Sequence, residues 1–260
     1  MLSVIIPICN EEHAAERTIR GVYDVLRRAK EQFEIIAVND GSTDRTAELL
    51  RTIRLPHFRV LTHEINRGNG ASIMTGANAA RGELLATIDA DGTYPYEDFP
   101  ALLALKRTLD VPMIVGARTK KGAAIPWIHA IAKRMLRAVA EHITAQHIAD
   151  INSGLRIVDR ELFESFLAAY PQRFSLHITL TVSALLAGHT IAYEPIDYFP
   201  RIGKSHMTGG LRGIRHFFLF LRQMKRISQT RVPSATLATC QNCRSSPTSG
   251  LSCACVRSGG

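Results

Sequence analysis

The last quarter of this chain has no acid in it. From Tyr198 to Gly260 there is no Asp or Glu, against ten Lys and Arg. The preceding 197 residues carry 22 basic and 23 acidic groups, so the formal charge of +9 belongs to the tail and the body is close to neutral. A basic tail on a neutral body implies an anionic partner for the tail: phosphate, a membrane surface or nucleic acid. Cysteine is also scarce. Four of the five Cys fall in the last 21 residues, so the body has no disulfide framework. No apolar run approaches the roughly 20 residues of a membrane-spanning helix. The apolar stretch from Leu2 to Ile8 has no basic flank before it, and Asn10-Glu11-Glu12 follows where a small-residue cleavage site would lie. The expectation is therefore a cytoplasmic chain without a signal peptide.

With 260 residues, 46% of them hydrophobic, there is material for one large α/β domain or two small ones. The first 118 residues alternate regularly. Leu2 to Pro7 reads as a strand, and Asn10 as the cap of a helix with Ala15, Ile19, Val22 and Leu26 at helical spacing. Phe33–Val38, Phe58–Leu61, Leu84–Asp89 and Pro112–Gly116 read as further strands. Helices start at Ser42, Gly68 and Pro95 between them. This spacing predicts βαβ units and a mostly parallel sheet with helices on both faces. Beyond it, Ile128, Ile131, Ala132, Met135, Leu136, Val139 and Ile143 form the apolar face of a helix. Ile157-Val158 is a short strand, Ser175–Ala187 a helix and Thr190–Tyr198 a strand. Leu211–Ile227 is a last helix with one Phe-rich and one Arg-rich face.

In parallel sheets ligands bind at the carboxyl ends of the strands. Three polar clusters fall there: Asn10-Glu11-Glu12, Asn39-Asp40-Gly41-Ser42 and Asp89-Ala90-Asp91. The last is the most informative. Two carboxylates one residue apart after an apolar strand are unfavourable unless something neutralises them, and a divalent metal with a phosphorylated ligand does so. One such cluster also fits a turn or helix cap; three on one rim is much stronger.

These segments resemble family 2 glycosyltransferases with the GT-A (Rossmann-like) fold. The matching pieces are Ser3–Glu12 (SVIIPICNEE), Val38–Asp44 (VNDGSTD), Asn66–Ala71 (NRGNGA) and Asp89–Pro95 (DADGTYP), then Gly116–Arg118 (GAR), Asp150–Arg156 (DINSGLR) and Pro200–Ser205 (PRIGKS). The most similar branch is the dolichyl-phosphate mannose synthase and polyprenyl-phosphate glycosyltransferase group. The resemblance implies a catalytic domain over residues 1–206, which would move a sugar from a nucleotide-diphosphate-sugar to a polyprenyl or dolichyl phosphate. It implies that Pro7, Cys9, Glu11, Val38 and Asp40 surround the base and ribose of the donor. Asp89, Ala90, Asp91 and Thr93 would hold metal, diphosphate and sugar, with Mg²⁺ or Mn²⁺ on Asp89 and Asp91. Arg118, Arg201 and Lys204 would contact phosphates, and Ser153 and Arg156 would lie near the acceptor phosphate. Two positions depart from the pattern: Cys9 stands where an aromatic residue is common, and Asn39 where Asp is common.

The chemistry agrees. Cleaving a sugar–diphosphate bond builds negative charge on the leaving group, which a divalent ion stabilises and Arg and Lys assist. A phosphate acceptor is already anionic and needs no strong base, whereas a hydroxyl acceptor would, and Asp150 is then the first candidate. In-line attack implies inversion at the anomeric carbon. Each residue also has a plainer reading. Glu11 would complement a helix dipole, Asp150 would be a turn carboxylate, and Arg201 and Lys204 a solvated loop.

Residues 207–231 form a basic helical segment suited to lying in a membrane interface through 211–227, peripheral on the cytoplasmic face and with room for a membrane-protein partner. Residues 232–260 read as a disordered or non-family tail. There Cys240-x-x-Cys243 and Cys253-x-Cys255 offer a weaker zinc reading. Two alternatives stand beside the lipid-phosphate reading. One is a soluble glycosyltransferase with a hydroxyl acceptor. The other is a basic nucleic-acid-binding protein with a zinc-bound tail, against which the neutral body argues.

Overall fold

A computed structural model describes residues 1–120, 127–172 and 176–203, with the side chains of 127–133 left aside. The expectations for Lys204, the 211–227 helix and the cysteine-rich tail lie outside the described residues.

The chain forms β1 (Leu2–Ile8), α1 (Ala15–Arg28), β2 (Phe33–Asp40), α2 (Thr46–Thr52), β3 (Phe58–His63), α3 (Asn69–Ala79), β4 (Leu84–Thr87), α4 (Phe99–Leu109) and β5 (Met113–Ala117). It continues with α5 (Trp127–Thr144), β6 (Arg156–Asp159), α6 (Arg160–Glu164), α7 (Leu176–Leu186) and β7 (Ile191–Pro195). The strands make one seven-stranded sheet in the order β3-β2-β1-β4-β6-β5-β7. All neighbours are parallel except β6, which runs antiparallel to both β4 and β5. The mostly parallel α/β sheet is thus as expected, and the reversed strand is the addition.

Every residue of β1 and β2 is buried, as a sheet covered on both faces requires. Alternation splits β1 between two cores. Val4, Ile6 and Ile8 pack with Ala15, Ile19, Val22 and Leu26 of α1 and with Leu102 and Leu103 of α4. Ile5 packs on the other face with Ile73 of α3, Leu180 of α7 and Ala140 of α5. On that face α3 comes very close: a Cβ on Gly76 would lie 2.4 Å from Ile5, so the small residues of α3 are what let it seat.

Two local expectations change. Asn10 does not cap α1. It takes a positive φ of 55°, and its Oδ1 accepts from the backbone N–H groups of Thr43 at 2.7 Å and Asp44 at 3.4 Å. It ties the end of β1 to the β2–α2 loop, while α1 begins five residues later with no side-chain cap. Met135 is not on the buried face of α5; it is 55% exposed, while Leu136, Val139 and Ile143 pack against the core. The turn between Met135 and Leu136 is about 100°, enough to carry Met135 out of the seam.

Candidate functional site

Strand order creates the site. β1 has β2 on one side and β4 on the other, so the chain leaves β1 towards β2 and leaves β4 towards the opposite edge, the kind of switch point at which α/β sheets bind ligands. Glu11 follows β1, Asp40 ends β2, and Asp89 and Asp91 follow β4. Because β6 is reversed, its entering segment Asp150–Leu155 reaches the same rim, beside Arg118 from the end of β5 and Tyr198 and Arg201 beyond β7.

On the β1–β2 side the polar groups are spent on shape. Asp40, 3% exposed, accepts from His63 Nδ1 at 2.7 Å and from the backbone N–H groups of Arg67 at 2.9 Å and Gly68 at 2.7 Å. It thus pins the 63–68 segment beside the crevice. Cys9 is a free thiol, half-buried, with the Asn66 amide donating to its sulfur at 3.1 Å. Burial pushes that thiol up. Pro7 is buried, and Val38 and Ala90 pack in the core. What these three offer a ligand is backbone.

The acidic pair lies at the centre. Asp91, 7% exposed, accepts on Oδ1 from Thr93 N at 3.1 Å and Thr93 Oγ1 at 2.6 Å. Arg201 Nη1 approaches its Oδ2 at 3.3 Å, and Arg201 Nη2 pairs with Glu11. The segment carrying Arg201 is laced alongside: Phe199 N–H donates to Thr93 O at 2.9 Å and Ile202 N–H to Asp91 O at 3.1 Å. The Arg201 Nε is buried without a hydrogen-bond partner among the described residues. Asp89 is partly buried. Burial first, and Asp91 next, push its carboxyl up to about 7 despite Arg118, Arg201 and Arg156. Burial also lifts Glu11 to about 7 against the pull of Arg201, with Asp91 adding to the rise. The local negative charge is therefore only partly compensated.

The far side holds buried cations. Both oxygens of Asp150 accept from Arg118, from Nε at 2.7 Å and Nη2 at 2.8 Å, and Arg118 N–H donates to Asp150 at 3.2 Å. Arg118 lies over the ring of Tyr198 at 5.2 Å and near that of Tyr94 at 6.0 Å. Burial would raise the Asp150 carboxyl, yet the bonds from Arg118 hold it below its ordinary value. A carboxylate held in a bidentate pair is a weaker base than a free one. Ser153 and Arg156 lie in the interior. Ser153 is fully buried and donates to Gly116 O at 2.5 Å. Arg156 is 1% exposed and donates to Ser153 O at 3.1 and 2.7 Å, to His177 O at 3.1 Å and to Thr181 Oγ1 at 3.2 Å. Neither side chain reaches an open surface. Burial lowers the Arg156 guanidinium to about 10, which leaves it charged at neutral pH.

The residues that sequence reasoning passed over are Tyr94, Tyr198 and Gly154. Tyr94 and Gly154 sit in the quoted Asp89–Pro95 and Asp150–Arg156 segments and could have been weighed; Tyr198 carries no local signal.

Among the described residues no group of three or more His, Cys, Asp or Glu is arranged to hold a metal. Asp89 and Asp91 together fit a hard divalent ion that takes its remaining ligands from phosphate and water, as Mg²⁺ and Mn²⁺ do.

The family model for glycosyl transferase family 2 matches residues 3–167. The chain belongs to that family. It is 30% identical over 173 residues to the undecaprenyl-phosphate 4-deoxy-4-formamido-L-arabinose transferase of Proteus mirabilis, a match covering 65% of this chain and 52% of the relative. It is 27% identical over 214 residues to a dolichyl-phosphate beta-glucosyltransferase of Trichomonas vaginalis, covering 76% of this chain and 65% of the relative. The chain thus spans about half the length of the first of these. Its fold is that of the glucosyl-3-phosphoglycerate synthase of Mycobacterium tuberculosis, solved with Mn²⁺, uridine diphosphate and phosphoglyceric acid. The TM-score is 0.67 and the identity 18%, over 88% of this chain and 78% of that one.

Proposed function

We propose that this chain is the catalytic unit of a metal-dependent, inverting glycosyltransferase that moves a sugar from a nucleotide-diphosphate-sugar to a polyprenyl phosphate. The observation that carries the reading is the acidic pair at the sheet's switch point. Asp89 and Asp91 share one rim with Arg118 and Arg201, and burial first, then the neighbouring Asp91, raise the carboxyl of Asp89 to about 7. Asp89 and Asp91 would hold a divalent ion, whose positive charge would offset the repulsion between them. When bound, such an ion supplies Lewis-acid stabilisation of the leaving diphosphate. The chain's own residues do the rest. Thr93 orients Asp91. Arg201, on the laced 199–202 segment, brings a guanidinium to the diphosphate, and Lys204 a second cation. Asp40 and Asn66 shape the base end, with Glu11 and Cys9 beside them, and the backbone of Pro7, Val38 and Ala90 lines the approach.

The state of Asp150 supports the acceptor class. With both oxygens accepting from Arg118 it is a poor base for a hydroxyl, and a phosphate acceptor needs none. The relatives named for undecaprenyl and dolichyl phosphate support the same choice. Among the described residues no helix is long and apolar enough to cross a membrane. The basic 211–227 segment would therefore meet the lipid at the interface, by salt-sensitive binding to anionic vesicles.

The test is incubation with Mn²⁺ and a panel of labelled nucleotide sugars, with and without polyprenyl phosphate, repeated with Asp91→Ala. Sugar is expected on the lipid phosphate, and roughly a hundredfold less or lower in the variant. Undiminished turnover in Asp91→Ala would refute the metal assignment. Transfer to a hydroxyl without lipid would replace the acceptor class with the soluble alternative.

A further inference from the structure

The last paired residues of β4 and β6 are Thr87 and Arg156. Continuing that antiparallel register by two residues sets Asp89 opposite Gly154. The fit is tight: a Cβ on Gly154 would lie 2.6 Å from Asp89 Oδ2, closer than real Cβ atoms come, and 3.0 Å from Oδ1. The glycine is not there for conformation, since Gly154 is not among the residues of positive φ. It is there for space, and the space is taken by a carboxylate.

The backbone that makes this space is pinned from every direction. Arg156 donates twice to Ser153 O, at 3.1 and 2.7 Å. Ser153 Oγ donates to Gly116 O on β5 at 2.5 Å. Gly154 N–H donates to Tyr94 OH at 2.7 Å, and Thr87 Oγ1 donates to Gly154 O at 2.7 Å. Arg156 is fully buried, and its other bonds run to His177 O and Thr181 Oγ1. A desolvated cation bonded to carbonyls is an expensive way to fill a core. It makes sense as a device for fixing one stretch of backbone.

We propose that Gly154 is the positioning residue for Asp89, and that Arg156 and Tyr94 hold Gly154 in place, so that this buried segment sets where Asp89 presents its carboxylate to a divalent cation. The proposal rests on the reading of Asp89 and Asp91 as the metal-holding pair. It gives Arg156 a role at the site without contact to any ligand, since the guanidinium acts through the Ser153 carbonyl.

Alanine at 154 meets the free end of a side chain, so Asp89 turns away while the backbone stays. The test is Mn²⁺ binding followed by electron paramagnetic resonance, with uridine or guanosine diphosphate present, alongside melting of the metal-free protein. Gly154→Ala is expected to weaken Mn²⁺ binding about tenfold or more while the metal-free melting temperature stays within about 4 °C of wild type. Tyr94→Phe, which removes only the oxygen that accepts from Gly154 N–H, shifts affinity the same way by a smaller factor. Wild-type Mn²⁺ affinity in either variant, with native circular dichroism, overturns the proposal. Asp91→Ala separates the two levels. If it binds Mn²⁺ like wild type, the metal reading itself falls. If it loses Mn²⁺ while Gly154→Ala keeps it, only the positioning role falls.

Discussion

The two sides of the rim are built by different physics. On the β1–β2 side, carboxylate and amide oxygens are satisfied by nearby backbone N–H groups. Asp40 takes two of them and His63, and Asn10 takes two more. On the β4–β7 side, charge is buried against charge or against carbonyls: Arg118 on Asp150, Arg156 on Ser153 O, Asp89 against Gly154. The first side keeps its shape with local loop chemistry and carries one raised carboxyl, Glu11, at its edge. The second retains a raised carboxyl and a lowered guanidinium. Uncompensated charge is where a charged ligand gains most, so under the proposed function the second side would take metal and diphosphate and the first would shape the base end.

The largest expected effect breaks the second side. Asp150→Ala strands the buried Arg118 guanidinium, whose side chain is 6% exposed, and should destabilise the fold by about 3–5 kcal/mol in urea denaturation. Replacing both members, as Arg118→Met with Asp150→Leu, should recover most of that, because a buried pair and a packed apolar pair differ little in stability. A double variant as unstable as the single one would mean that this side is held by something other than the ion pair.

The first side should yield less. Asp40→Asn keeps the shape and one accepting oxygen but loses a charge-assisted bond, and about 1–3 kcal/mol is expected. Faster amide exchange should be confined to residues 63–68. Exchange spreading to β4 and β6 would show that the two sides are not separate.

How much of this could be read from the chain divides along the same line. The alternation of buried strands and amphipathic helices is written locally, in runs such as Phe33–Val38 and in the spacing of Ala15, Ile19, Val22 and Leu26, so the α/β class was legible. So were the strand-end clusters, since Asp and Asn there stand out against apolar runs. The reversal of β6 was not, because Ile157-Val158 looks the same in either direction. What depends on that reversal was hidden too: the Arg118–Asp150 pair, the Arg156 bond to His177 O and the Asp89–Gly154 contact join residues 21 or more apart. Asn10 was misread for a smaller reason. Its cap-like position before a helix is real, but its oxygen turns across the crevice to Thr43.

A pH titration sharpens the contrast without mutation. Glu11 and Asp89 have folded pKa values near 7, above their ordinary 4.5 and 3.8. Between those limits the folded protein holds more protons than the unfolded chain. Their contribution is fully present below about 4 and lost as pH rises through about 7. His177 acts oppositely: burial, then Arg156 and Arg118, hold it far below 6.5. Below 6.5 the unfolded chain takes up a proton that the folded protein refuses, and stability falls. The metal-free protein should therefore melt higher at pH 6.5 than at pH 8. Mn²⁺ with a nucleoside diphosphate should flatten that slope by holding the carboxylates ionised. An unchanged slope on adding both would mean that the ligand charge does not meet these groups.

The smallest effect tests whether the β1–β2 side is only a mould. Asn10→Ala removes an oxygen that accepts from Thr43 N–H at 2.7 Å and places a side chain at a φ of 55° where Asn is better tolerated. Asn10→Gly removes the same oxygen but takes that φ freely. Alanine should lose about 1–2 kcal/mol and glycine about 1 kcal/mol or less, so the difference isolates the backbone term. Because Ser42 Oγ accepts from Asn10 N–H at 3.0 Å and Glu11 N–H is held by Thr46 Oγ1 at 2.9 Å, the loop keeps its place in both variants. Nucleoside diphosphate binding without metal should then weaken only modestly, and Mn²⁺ affinity at saturating nucleotide should not change. A loss of Mn²⁺ affinity in Asn10→Gly would mean that the mould and the charged side act as one unit, and the division between them would have to be redrawn through Arg201, the side chain that touches both Glu11 and Asp91.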